Sequence, residues 1–139
     1  DEGLALRAFK VLSQLNAVIY LQEFIPHHGH DLRILVIDDQ FLAIRRCSET
    51  DWRTNIGRGG RAEAVSLDPA LEQLARQATA SVGALVAGVD ILPGLDGEHY
   101  LLEVNGVPGW KALARTLDVD VASMLLDLLV RQVVSAPCS

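Results

Sequence analysis

The stretch "LLEVNGVPGWKAL", residues 101–113, runs as an apolar strand that ends in a carboxylate, Glu103, and an amide, Asn105, before breaking into a Gly/Pro loop. Strand side chains alternate faces, so Leu101, Glu103 and Asn105 share one side while Leu102 and Val104 take the other. In "ALVAGVDIL" the same rule groups Val86, Gly88, Asp90 and Leu92. If the two strands pair through the turn "PGLDGE", Asp90 falls opposite or diagonal to the Glu103 and Asn105 side, and three hard oxygen donors converge. Two carboxylates and an amide oxygen, with no thiolate, suit Mg²⁺, which takes few protein ligands and leaves the rest to phosphate and water. A divalent cation would also relieve the repulsion between the acids. The competing reading is structural: Asp90 caps a strand end and Glu103 pairs with an arginine.

A second cluster is cationic. Arg45, Arg46, Arg53, Arg58 and Arg61 face only Glu49 and Asp51 across residues 45–61 of a chain whose net charge is −6. In "RTNIGRGGR" the glycines let the backbone approach a ligand, and guanidinium groups grip phosphate or carboxylate with two prongs. A solvated polar loop is the plainer reading of the same residues. Arg33 stands two positions from Asp31 and shares its strand face, as an internal salt bridge or as a pair that meets a ligand. "HHGH" (His27, His28, His30) offers no fourth metal ligand, and adjacent histidines splay apart, so it reads as a surface loop.

These groups need elements to hold them. "DEGLALRAFKVLSQL" spaces Leu4, Ala8, Val11, Leu12 and Leu15 as a helix does, with Asp1 and Glu2 at the end that favours negative charge. "AVIYLQEFI" (17–25) predicts a strand stopped by Pro26, and "DLRILVIDDQFLAIRRCSE" predicts a hairpin turning at Asp38, Asp39 and Gln40. Residues 50–64 read as a polar loop. Asp68 and Pro69 open a helix that closes at Gly83, and "DVASMLLDLLVRQVV" closes the chain as an amphipathic helix. The order predicts an α+β fold, a mostly antiparallel sheet covered by helices, in one domain. Trp52 and Trp110 flank the polar segments and can pack under their loops.

Half of the 139 residues are hydrophobic, enough for a real core. The acidic balance argues against nucleic acid, no apolar run is long enough to span a membrane, and no signal peptide is apparent, which together predict a cytoplasmic protein. Cys47 and Cys138 are expected to be reduced and not catalytic. The P-loop and dinucleotide-binding glycine patterns are absent.

Taken together, "YLQEFI", "HDLRILVID", "WRTNIGRGGRA", "VAGVDIL" and "LLEVNGVPG" resemble, in order, the C-terminal part of an ATP-grasp ligase, closest to the RimK-type α-L-glutamate ligases. The resemblance implies that Gln22, Glu23, Phe24 and Ile25 line the adenine site, with backbone groups of Glu23 and Phe24 reading its edge. It implies that Asp31, Arg53, Thr54 and Asn55 contact ATP, and that Asp90, Glu103 and Asn105 hold Mg²⁺ (or Mn²⁺) against the phosphates. Arg33 and Arg58 would serve catalysis near the phosphates or the acyl intermediate. The implied chemistry is a carboxylate–amine ligation through an acyl phosphate, adding an amino acid, glutamate being expected, to a small-molecule or protein carboxylate acceptor. The family's N-terminal domain, Gly-rich lid and ATP-reaching lysines have no match in these residues, whose only lysines are Lys10 and Lys111. Residues 1–139 are therefore expected to be a C-terminal ATP-grasp subdomain of a larger ligase, inactive alone and open to homo-oligomer formation, with no membrane or nucleic-acid partner. "NGVPGWKAL" departs from the smaller, Ser-containing loop of many such ligases and resembles members associated with pterin-cofactor glutamylation, so Trp110 and Lys111 are expected to shape the acceptor pocket. The alternative is a non-catalytic nucleotide- or metal-binding regulatory module.

Overall fold

"ILVI" (34–37) is apolar on both strand faces, as suits a strand buried on both sides, and it lies at the centre of the sheet. In the computed structural model, which describes residues 1–48 and 61–135, β1 (His30–Ile37) pairs with β2 (Gln40–Cys47) on one side and β4 (Val86–Pro93) on the other. The hairpin turns at Asp38 and Asp39 as expected, Asp38 taking φ 56°. Beyond β2 lies β3 (Arg61–Ala64) and beyond β4 lies β5 (His99–Asn105), giving the antiparallel order β3-β2-β1-β4-β5.

Each face of the sheet has its own core. Leu32, Ile34, Val36, Ala43, Val89 and Ile91 pack under Leu71, Ala75 and Ala78 of α2 (Pro69–Ser81). That helix starts as its sequence predicts, with the Asp68 carboxylate accepting the Leu71 N–H at 2.8 Å and Pro69 in the first turn. On the other face Leu35, Ile37 and Ile44 meet Leu113 of α3 (Lys111–Leu117) with Val121 and Leu128 of α4 (Val121–Ser135). The α+β architecture and the antiparallel sheet stand as predicted.

Two expectations fail in detail, and a third element forms as expected but stands apart from the core. Residues 17–25 form no strand: their β-branched and aromatic side chains favour extended backbone, yet no described strand offers them a ladder, and Val18, Tyr20, Leu21 and Phe24 are exposed. Just beyond the segment, His27 bridges Gly94 and Leu95 N–H donates to Pro26 O at 2.9 Å. The end of the supposed polar loop, 61–64, is a strand, short and charged as edge strands are. Helix α1 (Glu2–Gln14) forms on its Asp1 cap, but buries none of its residues. No helix among the described residues is long and apolar enough to cross a membrane.

Candidate active site

The β4–β5 register sets the centre of the site. Asp90 lies directly opposite Glu103, and Gly88 opposite Asn105, so strand parity brings the three oxygen-bearing groups to one face. The ladder slips between Asp90 and Ile91, where Ile91 pairs with Leu101 and Leu102 is left over. This bulge removes Leu101 from the row expected for it, opposing it to a residue of the α2-side core. Asp90 and Glu103 end up at the rim of a cleft of about 850 Å³, whose lining also includes Tyr20, Gln22, Glu23, Phe24, Ile25 and Asp31. The segment expected to receive adenine, though not a strand, thus faces the acids.

Arg33 on β1 is the cross-strand neighbour of Asp90 on β4. Its Nη2 donates to Asp90 Oδ2 at 2.8 Å, while its Nε lies 2.5 Å from Oδ1 without hydrogen-bond alignment, an ionic contact and not a directed bond. The expected Asp31–Arg33 bridge does not form. Asp31 instead gives both oxygens to Arg46, which donates from Nε at 2.7 Å and Nη2 at 2.5 Å. Arg46 Nη2 reaches Asp90 Oδ2 as well, at 2.9 Å. The result is an alternating chain, Asp31–Arg46–Asp90–Arg33. It is deeply buried: Asp31 is 2 % exposed, Arg46 6 % and Asp90 6 %. Burial alone would lower the Arg46 pKa, but the hydrogen bonds and charge of Asp31, with those of Asp90, outweigh it and raise the pKa above its usual value. Sequence reading counted Arg46 only as part of a cationic segment. Its signal was parity, because Arg46 alternates with Ile44 and Leu42 on the core side of β2.

The structural alternative for the acids is therefore inverted. Asp90 stands mid-strand and is the one paired with arginines, while Glu103 is exposed and has no hydrogen-bond or ion-pair partner among the described residues. Asn105 is half-buried and its Oδ1 accepts the Val107 N–H at 2.9 Å, opening the loop that follows. That loop folds back over the sheet: a Cβ on Gly88 would meet Pro108 Cβ at 2.7 Å and Arg33 Nη1 at 3.2 Å, so only glycine leaves room for both. Trp110 packs beside the Leu113 core and Lys111 is an exposed first residue of α3. Of the histidines, His27 Nδ1 accepts the Gly29 N–H at 3.1 Å, and His28 stacks on His30. Burial, then the Arg45 charge, lowers the His30 pKa. Arg53, Thr54, Asn55 and Arg58, with Trp52, lie outside the described residues.

Asp90, Glu103 and Asn105 form an oxygen-only donor set of the kind Mg²⁺ or Mn²⁺ accepts. Asp90 Oδ1, in ionic contact with Arg33 Nε, receives no hydrogen bond, and Glu103 is uncommitted, so the set fits a divalent cation.

Known proteins share this arrangement of strands. The Citrobacter koseri protein named probable alpha-L-glutamate ligase is 38% identical over 127 residues, covering 89% of this chain and 42% of that protein. The Methanocaldococcus jannaschii tetrahydromethanopterin:alpha-L-glutamate ligase is 35% identical over 120 residues, covering 84% of this chain and 41% of that protein. A solved structure of the ATP-grasp ligase PsnB, complexed with a phosphomimetic variant of a minimal precursor, Mg and ADP, has a TM-score of 0.62 at 30% identity over 77% of this chain and 33% of that one. This chain spans about two-fifths of the length of the curated relatives it matches. With the RimK-like ATP-grasp domain model matching residues 5–129, the chain belongs to the RimK-like ATP-grasp family.

Proposed function

We propose that these residues are the C-terminal ATP-grasp subdomain of a larger cytoplasmic ligase, inactive by themselves, which joins an amino acid, glutamate first among candidates, to a carboxylate acceptor. The observation that carries this reading is the register that sets Asp90 opposite Glu103 in a cleft walled by Gln22, Glu23, Phe24 and Ile25. Adenine would lie along that wall, with backbone groups of Glu23 and Phe24 at its edge and Asp31 deeper in the cleft. Arg53, Thr54 and Asn55 would complete the nucleotide contacts. Asp90, Glu103 and Asn105 would hold Mg²⁺ or Mn²⁺, whose charge spreads the negative charge of phosphates during transfer.

In the reaction the acceptor carboxylate attacks the γ-phosphorus of ATP, the bond to the β-phosphate oxygen breaks, and ADP leaves. The amino-acid amine then attacks the acyl carbon, loses a proton and expels inorganic phosphate as the amide forms. Little covalent chemistry falls to the protein, and positioning with electrostatic stabilisation does most of the work. Arg33, salt-bridged to Asp90, and Arg58 would be the cations that face the phosphoryl or acyl-phosphate oxygens. The loop from Gly106 to Lys111, folded over Gly88 beside Arg33, would form the acceptor side, with Trp110 and Lys111 setting its shape. Relatives carry names that include ribosomal protein bS6 and tetrahydromethanopterin, so protein and pterin-like acceptors both belong in the assay.

The test is phosphate release by the full-length protein with Mg·ATP, a panel of amino acids and both acceptor classes. Glutamate-dependent release that Glu103→Ala abolishes is the expected result. ATP binding without amino-acid-dependent release would favour the non-catalytic module and overturn the ligase.

A further inference from the structure

Asp90 reaches the cleft with its carboxylate already oriented. Its Oδ2 receives two donors, Arg33 Nη2 at 2.8 Å and Arg46 Nη2 at 2.9 Å, while Oδ1 receives no hydrogen bond and has only the ionic contact of Arg33 Nε at 2.5 Å. Arg33 is the direct cross-strand neighbour of Asp90, but Arg46 is not: it stands on β2, opposite Asp31, and reaches across β1 to a strand it does not pair with. A guanidinium can do this because its planar fork keeps Nε and one Nη2 hydrogen on Asp31 while the other Nη2 hydrogen turns to Asp90. The four charges of Asp31, Arg46, Asp90 and Arg33 sum to zero, and Glu103 is the acid left without a counter-charge among the described residues.

We infer that Arg46 is a positioning residue that, anchored by Asp31, aims the Asp90 carboxylate at the space beside Glu103 and so sets how tightly the site holds a divalent cation. This rests on the proposed cation role of Asp90 and Glu103. Asp31 anchors Arg46 through both of its oxygens. Groups that orient ligands from behind typically change metal affinity by about 10- to 100-fold when removed.

The experiment is Mn²⁺ titration of the full-length protein without nucleotide, followed by electron paramagnetic resonance, alongside thermal unfolding. The double variant Asp31→Asn/Arg46→Gln removes one charge of each sign, so no buried ion is orphaned, and it is expected to fold. A purely structural Arg46 would leave Mn²⁺ affinity at the wild-type value in this folded double variant; the inference expects it to weaken by about 10-fold or more. Should the double variant fail to fold, Arg46→Lys keeps the charge but loses the fork, and the same direction of change is expected. Wild-type Mn²⁺ affinity in whichever variant folds overturns the assignment. Glu103→Gln separates the two levels: if it weakens Mn²⁺ binding and the Arg46 variants do not, only the positioning role falls. If Glu103→Gln changes nothing, the cation site itself falls, and Arg46 with it.

Discussion

Leu35, Ile37 and Ile44 sit on the same sheet face as Asp31, Arg33 and Arg46, at alternate positions of the same two strands, yet the two ends of that face are built by opposite means. The far end is an ordinary core, closed by Leu113, Val121 and Leu128 from α3 and α4. At the near end charged side chains close on one another. Burying apolar groups is favourable wherever they are placed, whereas burying ions repays its desolvation only with good geometry and full pairing. A chain that needed only stability would extend the apolar end. The charged end lies where the cleft opens, beside the residues proposed to hold nucleotide and cation.

The comparison breaks most sharply under removal of a single partner. Arg46→Met leaves the Asp31 carboxylate, 2 % exposed, with no counter-charge among the described residues, and is expected to destabilise the protein by about 3–5 kcal/mol in urea unfolding. A loss under about 1 kcal/mol would mean that water reaches the network and that the two ends are not so different.

At the apolar end Leu113→Ala is expected to cost about 2–3 kcal/mol, the low side of the usual range for such truncations. Leu113 is fully buried, but its half-buried neighbours Trp110, Ala114 and Leu117 give α3 room to settle into the gap. Because no ion moves, nucleotide and Mn²⁺ affinity should stay at wild-type values. A change in either would mean that the two ends are coupled through the sheet.

What the sequence disclosed divides along the same line. Parity grouped Glu103 with Asn105 and Asp90 with Gly88, but the slip at Leu102 is what sets Asp90 opposite Glu103, since unbroken pairing from Pro93 and His99 would oppose Asp90 to Leu102. The Asp68 cap and the Asp38 turn were legible because their signals are local. Arg46 was not, since its partners lie 15 and 44 residues away and a charged residue after Arg45 looks like surface until the strands are assembled. The slip at Leu102 has no local mark, as neither glycine nor proline stands there. Residues 17–25 failed for a related reason: strand propensity describes a backbone willing to pair, and pairing depends on an edge elsewhere in the fold.

The smallest expected effect concerns a third kind of polar contact, at the mouth of the cleft and in water. Tyr100 lines the cleft, and its hydroxyl donates to Asp96 Oδ2 at 2.5 Å. That bond lowers the Asp96 pKa below its ordinary 3.8 and raises the Tyr100 pKa above its ordinary 10.0. Asp96, more acidic folded than unfolded, adds stability that is present above pH 3.8 and lost as pH falls through the folded value. Tyr100, less acidic folded than unfolded, adds stability that is present below pH 10.0 and lost as pH rises through its folded value. The gap in Tm between wild type and Tyr100→Phe should therefore be widest on the plateau between these limits and narrow at both ends. Since both groups are fully exposed, the gap should be small beside the Arg46→Met effect. A gap that stays constant from about pH 3 to about pH 11 would mean that the bond does not persist in solution, and that only buried pairing fixes polar side chains at this cleft.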